Sequence, residues 1–243
     1  MSKQWIYLSP HLDDAVYSCG GLISQQVQRG EKAAVWTVFA GDPAQHQMTP
    51  YAQSLHERWG TGLNAAVLRR VEDQTACEIV GAEPRHFQWL DCIYRSVAGL
   101  PLVSSDDDLF NSATPVQQDL AAEIVAMLQE QVPAEASVVV PLGAGNHIDH
   151  RVARMAAETA ELDLLYYADV PYVLGHQDEV ERLTAEMQPA VTEQITASAM
   201  DKWLEAAAAY KSQMSTFWDS KEALRQQFKD YLGLKNTCCL WIK

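Results

Sequence analysis

Apolar positions along this chain fall into two patterns: short dense runs, and longer stretches in which they recur every three or four residues. The dense runs have the length of strands and the longer stretches the period of helices. Residues 4–8 make a first apolar run stopped by Pro10, and residues 13–29 carry helical periodicity until Gly30 closes it. Residues 33–40, AAVWTVFA, are almost wholly apolar, as a strand covered on both faces should be, and Gly41, Asp42 and Pro43 end it. The pattern then predicts helices over 53–60 and 65–80, a strand over 86–90, a helix over 116–131 and a core strand over 137–141, SVVVP. A helix over 148–161 and a strand over 164–168 repeat the unit. The last third is less regular, with a strand at 192–197, helices at 198–213 and 221–231, and a closing strand at 237–242.

Strands alternating with helices predict an α/β class with a doubly wound, Rossmann-like, three-layer arrangement: a mostly parallel sheet with helices on both faces. No repeat, low-complexity tract or linker interrupts the alternation, and 243 residues at 48% hydrophobic composition suit one core of ordinary size. Residues 1–243 are therefore read as a single domain. Lysine and arginine number 18 against 32 aspartates and glutamates, and a net charge of −14 with no basic run argues against a nucleic-acid partner. The N-terminal segment lacks the charged region and long apolar core of a signal peptide, and no apolar stretch is long enough to span a bilayer, so a cytoplasmic location without a membrane span is expected. A homo-oligomer is compatible with the sequence. The five cysteines (Cys19, Cys77, Cys92, Cys238, Cys239) form no CxxC pair, which favours reduced, partly buried thiols over disulfides or a thiolate zinc knuckle.

Ligands of open α/β sheets collect at the carboxyl ends of strands, and two segments with metal-binding chemistry follow strands there. Ser9-Pro10-His11-Leu12-Asp13-Asp14 follows the first strand, and Gly143-Ala144-Gly145-Asn146-His147-Ile148-Asp149-His150 follows SVVVP. Histidine and carboxylate from two loops suit zinc or a similar divalent ion. His11 and Asp14 are three apart across a strand-to-helix turn, as are His147 and His150 at a helix entrance, so each pair can face one point. A catalytic zinc uses three protein ligands and keeps a fourth position for water. One histidine and one aspartate of the two segments should then stay uncoordinated, within reach of that water.

These segments, PHLDD and HIDH, resemble the marks of the zinc-dependent N-deacetylases known as LmbE-like or PIG-L enzymes, which include the phosphatidylinositol-glycan de-N-acetylase. Weaker similarity extends over Arg69-Arg70-Val71-Glu72-Asp73 with Gly81, Trp89-Leu90-Asp91, Asp169-Val170-Pro171-Tyr172, and residues 202–213. The resemblance implies a hydrolase that removes an N-acyl group, acetyl above all, from an amino sugar or its conjugate. It implies that His11, Asp14 and His150 hold Zn2+, with Fe2+ suited to the same donors. Asp13 would be the general base, His147 the residue that stabilises the oxyanion and protonates the leaving amine, and Asp149 the group that orients a neighbouring imidazole. Arg69, Asp91 and Tyr172 resemble positions that meet the substrate. Family members often carry glutamate after the aspartate pair, where this chain has Ala15; the change spares the implied ligands and base and bears on substrate identity.

Each residue also has an ordinary structural reading. Asp13 and Asp14 suit a helix amino terminus, Arg69 and Glu72 a helical ion pair, Asp91 a turn cap, and Tyr172 packing at the sheet edge. His46, His56, His86 and His176 are read as ordinary core or surface histidines, Trp36, Trp89 and Trp203 as core, and Asp106, Asp107 and Asp108 as solvated loop charge. Gly20 and Gly21, early in the first helix, cost about 1 kcal/mol each relative to alanine and point to close packing there. The alternatives to an amino-sugar deacetylase are a metal-dependent hydrolase of another acylated molecule and a non-catalytic sugar- or metal-binding relative. Acetate release from N-acetyl amino sugars separates the first, and tight metal binding without amide cleavage would mark the second.

Overall fold

The computed structural model describes residues 3–114, 116–233 and 237–243. The first half runs β1 (Gln4–Ser9), α1 (Asp14–Gln28), β2 (Lys32–Thr37), α2 (Pro50–Arg58), α3 (Ala65–Val80) and β3 (Glu83–His86). A small hairpin, β4 (Ser96–Val97) and β5 (Leu100–Pro101), and a short helix α4 (Asp106–Leu109) precede α5 (Gln118–Gln131). The chain continues as β6 (Ala136–Pro141), α6 (Ile148–Thr159), β7 (Leu164–Tyr167), α7 (Gln177–Leu183) and β8 (Gln188–Gln194). It closes with α8 (Ala197–Ala207), α9 (Lys211–Phe217), α10 (Lys221–Leu232) and β9 (Thr237–Ile242).

Seven strands form one sheet in the order β3-β2-β1-β6-β7-β9-β8. Strands β3, β2, β1, β6 and β7 run parallel, while β9 pairs antiparallel with both β7 and β8. The expected mostly parallel sheet is thus present, with an antiparallel edge. Helices α1, α3 and α8 pack together, as do α5 and α6. From β1 the chain winds outward to β2 and β3 and then returns to β6 beside β1, so the winding reverses between β1 and β6. A crevice opens at such a switch point, outside the carboxyl ends of the two strands.

Helix α1 is buried through most of its length, including Gly20 and Gly21. Their lack of side chains has a local cause: a Cβ on Gly20 would collide with the Trp203 ring of α8, and one on Gly21 would lie 2.8 Å from Trp203 Cε3. The indole is fixed in that niche by donating from Nε1 to the Val16 carbonyl at 2.7 Å.

Several elements differ from the sequence reading. The third strand lies at Glu83–His86 instead of 86–90, because Gly81 stops α3 in the left-handed region (φ 85°) and pairing with β2 begins at once. The apolar residues after it pack sideways instead, Phe87 lying between Trp36 and Trp89 at centroid distances of 5.6 and 5.7 Å. The strand expected at 192–197 is β8, shifted toward the amino terminus because Thr196 caps α8 by accepting from Ala199 N. One long helix expected at 198–213 is two, broken where buried Tyr210 turns to donate to Asp73 at 2.7 Å and Ser212 binds Glu72. The triple aspartate is also no free loop: Ser105 caps it as α4, and Asp106 pairs with Arg58 at 3.1 Å and accepts from Tyr51 at 2.6 Å.

Candidate active site

Both sequence segments lie at the β1/β6 crevice. His11 follows β1, Asp13 and Asp14 open α1, and His147 to His150 open α6, all buried. Asp14 Oδ2 sits 3.3 Å from His11 Nδ1 and 3.2 Å from His150 Nε2, and accepts from the His11 backbone N–H at 2.7 Å. The far side of each imidazole is anchored: His11 Nε2 faces Asp149 Oδ2 at 3.0 Å, and His150 Nδ1 faces Asp169 Oδ1 at 2.7 Å. When the rings are neutral, this network places their protons on His11 Nε2 and His150 Nδ1 and leaves the lone pairs of His11 Nδ1 and His150 Nε2 on the side of Asp14. His150 Nε2 is fully buried yet makes no hydrogen bond. A buried polar atom without a partner is costly, and here a cation between the two rings and the carboxylate would satisfy it.

The electrostatics agree. Burial opposes charge on His11, yet Asp91, Asp14 and Asp149 raise its pKa well above the ordinary value. Burial likewise opposes charge on His150, but Asp14 and Asp169 push it up to about 9. Asp14 is held well below the usual carboxylate range against its burial, chiefly by His150 and His11. The pocket is therefore built to hold positive charge, and the donors fit a divalent metal ion. A second donor set overlaps the first: ring nitrogens of His11, His147 and His150 lie within 4.8 Å of one another. His147 differs from the other two in that its Nδ1 accepts from the Asp149 backbone N–H at 3.2 Å, which leaves Nε2 as its N–H. Burial, and then His11 and His150, hold its pKa well below the ordinary histidine value, so it is a neutral hydrogen-bond donor.

Asp13 lies beside this centre. Burial pushes its pKa up to about 7, against the opposing pull of Arg69, whose Nη2 is 3.5 Å away. A carboxyl poised there can exchange a proton near neutral pH. Arg69 also stands 3.9 Å from Asp91, so it points into the site and does not form the helical pair with Glu72. Asp91 combines both of its readings: Oδ1 caps the following turn by accepting from Ile93 N at 3.1 Å, and Oδ2 is 3.8 Å from His11. Asp149 orients His11 and is bound in turn by Arg95 and by the Cys92 backbone N–H at 2.9 Å. Tyr172 packs edge-on to His150 at 5.4 Å and lies over His147 at 6.4 Å. All nine predicted site residues therefore gather at one crevice.

A cavity of about 260 Å³ opens over the centre, lined by His11, Asp13, Asp14, Arg69, Asp91, His147 and Tyr172 and by a set of apolar side chains. The sequence reading did not assign roles to Asp169, Arg95 or the apolar lining residues. Asp169 lay in a segment already noted for its similarity, but nothing in the sequence tied it to His150. Of the histidines read as ordinary, His56 is buried between Gly62 O at 2.7 Å and Tyr94 Oη at 2.6 Å, and His86 holds Asp73 at 2.7 Å.

A histidine–carboxylate centre at the switch point of such a sheet suits a metal-dependent hydrolase built on a Rossmann-like fold. The chain belongs to the GlcNAc-PI de-N-acetylase (PIG-L) family, whose sequence pattern matches residues 6–161. It is similar to the 2'-N-acetylparomamine deacetylase of Niallia circulans, 27% identical over 192 residues covering 72% of this chain and 70% of that protein. Among solved structures it is similar to the zinc-inhibited form of teicoplanin deacetylase Orf2, with a TM-score of 0.79 and 26% identity, covering 99% of this chain and 98% of that one. The A40926 pseudoaglycone deacetylase Dbv21 matches with a TM-score of 0.76 and 28% identity over 99% and 96% of the two chains. Among the described residues, no helix is long and apolar enough to cross a membrane.

Proposed function

We propose that this protein is a metal-dependent N-deacetylase that hydrolyses the acetamide of an N-acetylated amino sugar or amino-sugar conjugate. The observation that carries the reading is the buried, unpartnered Nε2 of His150, aimed at Asp14 while Asp169 holds its opposite nitrogen. The family membership and the deacetylase activities of the similar proteins support the same chemistry.

His11, Asp14 and His150 would hold the metal, zinc by preference and ferrous iron as the other candidate. Bound there, the ion supplies Lewis acidity toward the acyl oxygen and makes water a stronger acid. Asp13 accepts the proton of the attacking water, as its elevated pKa suits. His147 donates from Nε2 to the carbonyl oxygen as negative charge grows on it. Its lowered pKa suits this neutral donor role, and the proton that Asp13 takes from the water passes to the departing amine. Arg69 and Asp91, one donor and one acceptor at the cavity wall, bind sugar hydroxyls and steady Asp13, and Tyr172 closes the side next to His147.

The test joins metal analysis of purified protein to acetate release from N-acetylglucosamine conjugates. Asp13→Ala is expected to keep its metal and lose turnover by about 10²–10⁴-fold. Asp14→Ala is expected to lose the metal as well, and His147→Ala to keep it. Metal loss in Asp13→Ala would mean that ligand and base are exchanged. Tight metal binding without amide cleavage in the parent protein would overturn the enzymatic reading.

A further inference from the structure

Helix α3 buries one face against the body of the protein through Ala65, Asp73, Ala76, Cys77 and Val80, and its opposite face is exposed. On the exposed face Leu63, just ahead of the helix, is 84% accessible, Val67 46%, Leu68 45% and Val71 58%. Positions 63, 67, 71 and 75 are four apart and so form one ridge along the helix, with Leu68 on its flank. A groove of about 390 Å³ borders that ridge, walled by Trp59, Thr61, Leu68, Val71, Lys211 and Ser212. Charge along the strip is matched locally. Arg70 pairs with Asp42 at 2.7 Å, Glu72 accepts from Ser212 Oγ at 2.6 Å, and Lys211 adds a positive charge to the groove wall. The strip is thus apolar and close to electrical balance on a chain whose net charge is −14.

We propose that this strip is the contact surface of a two-fold symmetric homodimer, in which the ridge of each copy enters the groove of the other. Self-complementarity points to a second copy, because a patch that carries a ridge and a groove side by side can meet its own image about a two-fold axis. Paired ridges of this spacing cross at about −50°, the commonest helix packing. The area agrees. The four side chains expose apolar surface on the order of 400 Å², the size of the largest patch on an ordinary monomer. A two-fold axis doubles it, and the groove walls and rim bring the total to about the 1,000 Å² that a specific interface must clear. Charge selects the same place, since two copies that each carry −14 approach with least repulsion where the surface is balanced. A lipid surface fits less well: it has no ridge to fill a groove and, where anionic, it repels the chain.

Analytical ultracentrifugation of the full chain between about 1 and 100 μM is expected to show a monomer–dimer equilibrium. Val67→Arg and Leu63→Arg should each weaken dimerisation by about 100-fold or more, because each sets a charge in the apolar contact on both copies. Leu63 is so exposed in the single chain that its replacement leaves the fold in place, which the unfolding transition of the variant checks. Val67→Leu should keep the dimer, and so should Val97→Arg, at an exposed apolar position on the β4–β5 hairpin. A chain that is monomeric at every concentration, or a dimer that survives both Val67→Arg and Leu63→Arg, would overturn the proposal. So would a monomer that floats with phosphatidylcholine vesicles and loses that binding in Val67→Arg, since the strip would then belong to lipid.

Discussion

At the scale of single residues, the centre depends on how each imidazole is held from behind. Asp169 fixes the His150 ring through Nδ1, and Asp149 fixes the His11 ring through Nε2, so His150 Nε2 and His11 Nδ1 both face Asp14. Replacing Asp169 by alanine frees the tautomer and orientation of His150. Asp169→Ala should weaken metal affinity by about 10–100-fold, measured by competition with a chelator, and unchanged affinity would deny Asp169 this role. The histidine and aspartate pairs and their spacing were legible in the sequence, because a strand end and a helix start confine residues three apart to one side. Asp169 was not legible as their partner, since it is brought in from the end of another strand by the pairing of β7 with β6.

At the scale of elements, α1 and α8 are matched through two glycines and one tryptophan. A methyl group on Gly21 would press on an indole that cannot retreat without breaking its bond to Val16. Alanine gains about 1 kcal/mol of helix propensity, but overpacking costs about 1–3 kcal/mol, and contacts with the fixed Trp203 ring at 2.8 Å and with Ile195 Cγ2 at 3.1 Å place this site at the high end. Gly21→Ala should therefore lower unfolding free energy by about 1–2 kcal/mol in chemical denaturation, and a more stable variant would show that the niche is slack. The glycines signalled close packing from sequence alone; that Trp203 fills the gap did not follow, as helix periodicity carries no information about which distant helix docks. The shift of β3 and the break between α8 and α9 have the same origin. Local apolar pattern favoured one set of boundaries, and pairing with β2 and the Tyr210–Asp73 bond selected another.

At the scale of the whole molecule, the proposed metal site lies where the two halves of the sheet meet. An ion bound by β1 and β6 loops stabilises only the folded chain, by about 4 kcal/mol when its concentration is roughly 1,000 times Kd. For a protein of this size that corresponds to a Tm shift of roughly 10 °C. Chelation should lower Tm by that order in the parent protein and leave Asp14→Ala unmoved. An equal shift in both would place the stabilising ion elsewhere.

The sequence by itself determined the class of fold, the order of its central strands and helices, and the two histidine–aspartate segments that follow β1 and β6. Each of these depends on periodicity or on neighbours a few residues apart, which a chain cannot disguise. Only the tertiary structure decided which carboxylate stands behind which imidazole, that Arg69 turns to Asp13 and not to Glu72, and that aromatic side chains from three separate segments line one cavity. Those facts arise from contacts between segments far apart in the chain, and they are set by packing energy summed over the whole core, which no short stretch of sequence contains.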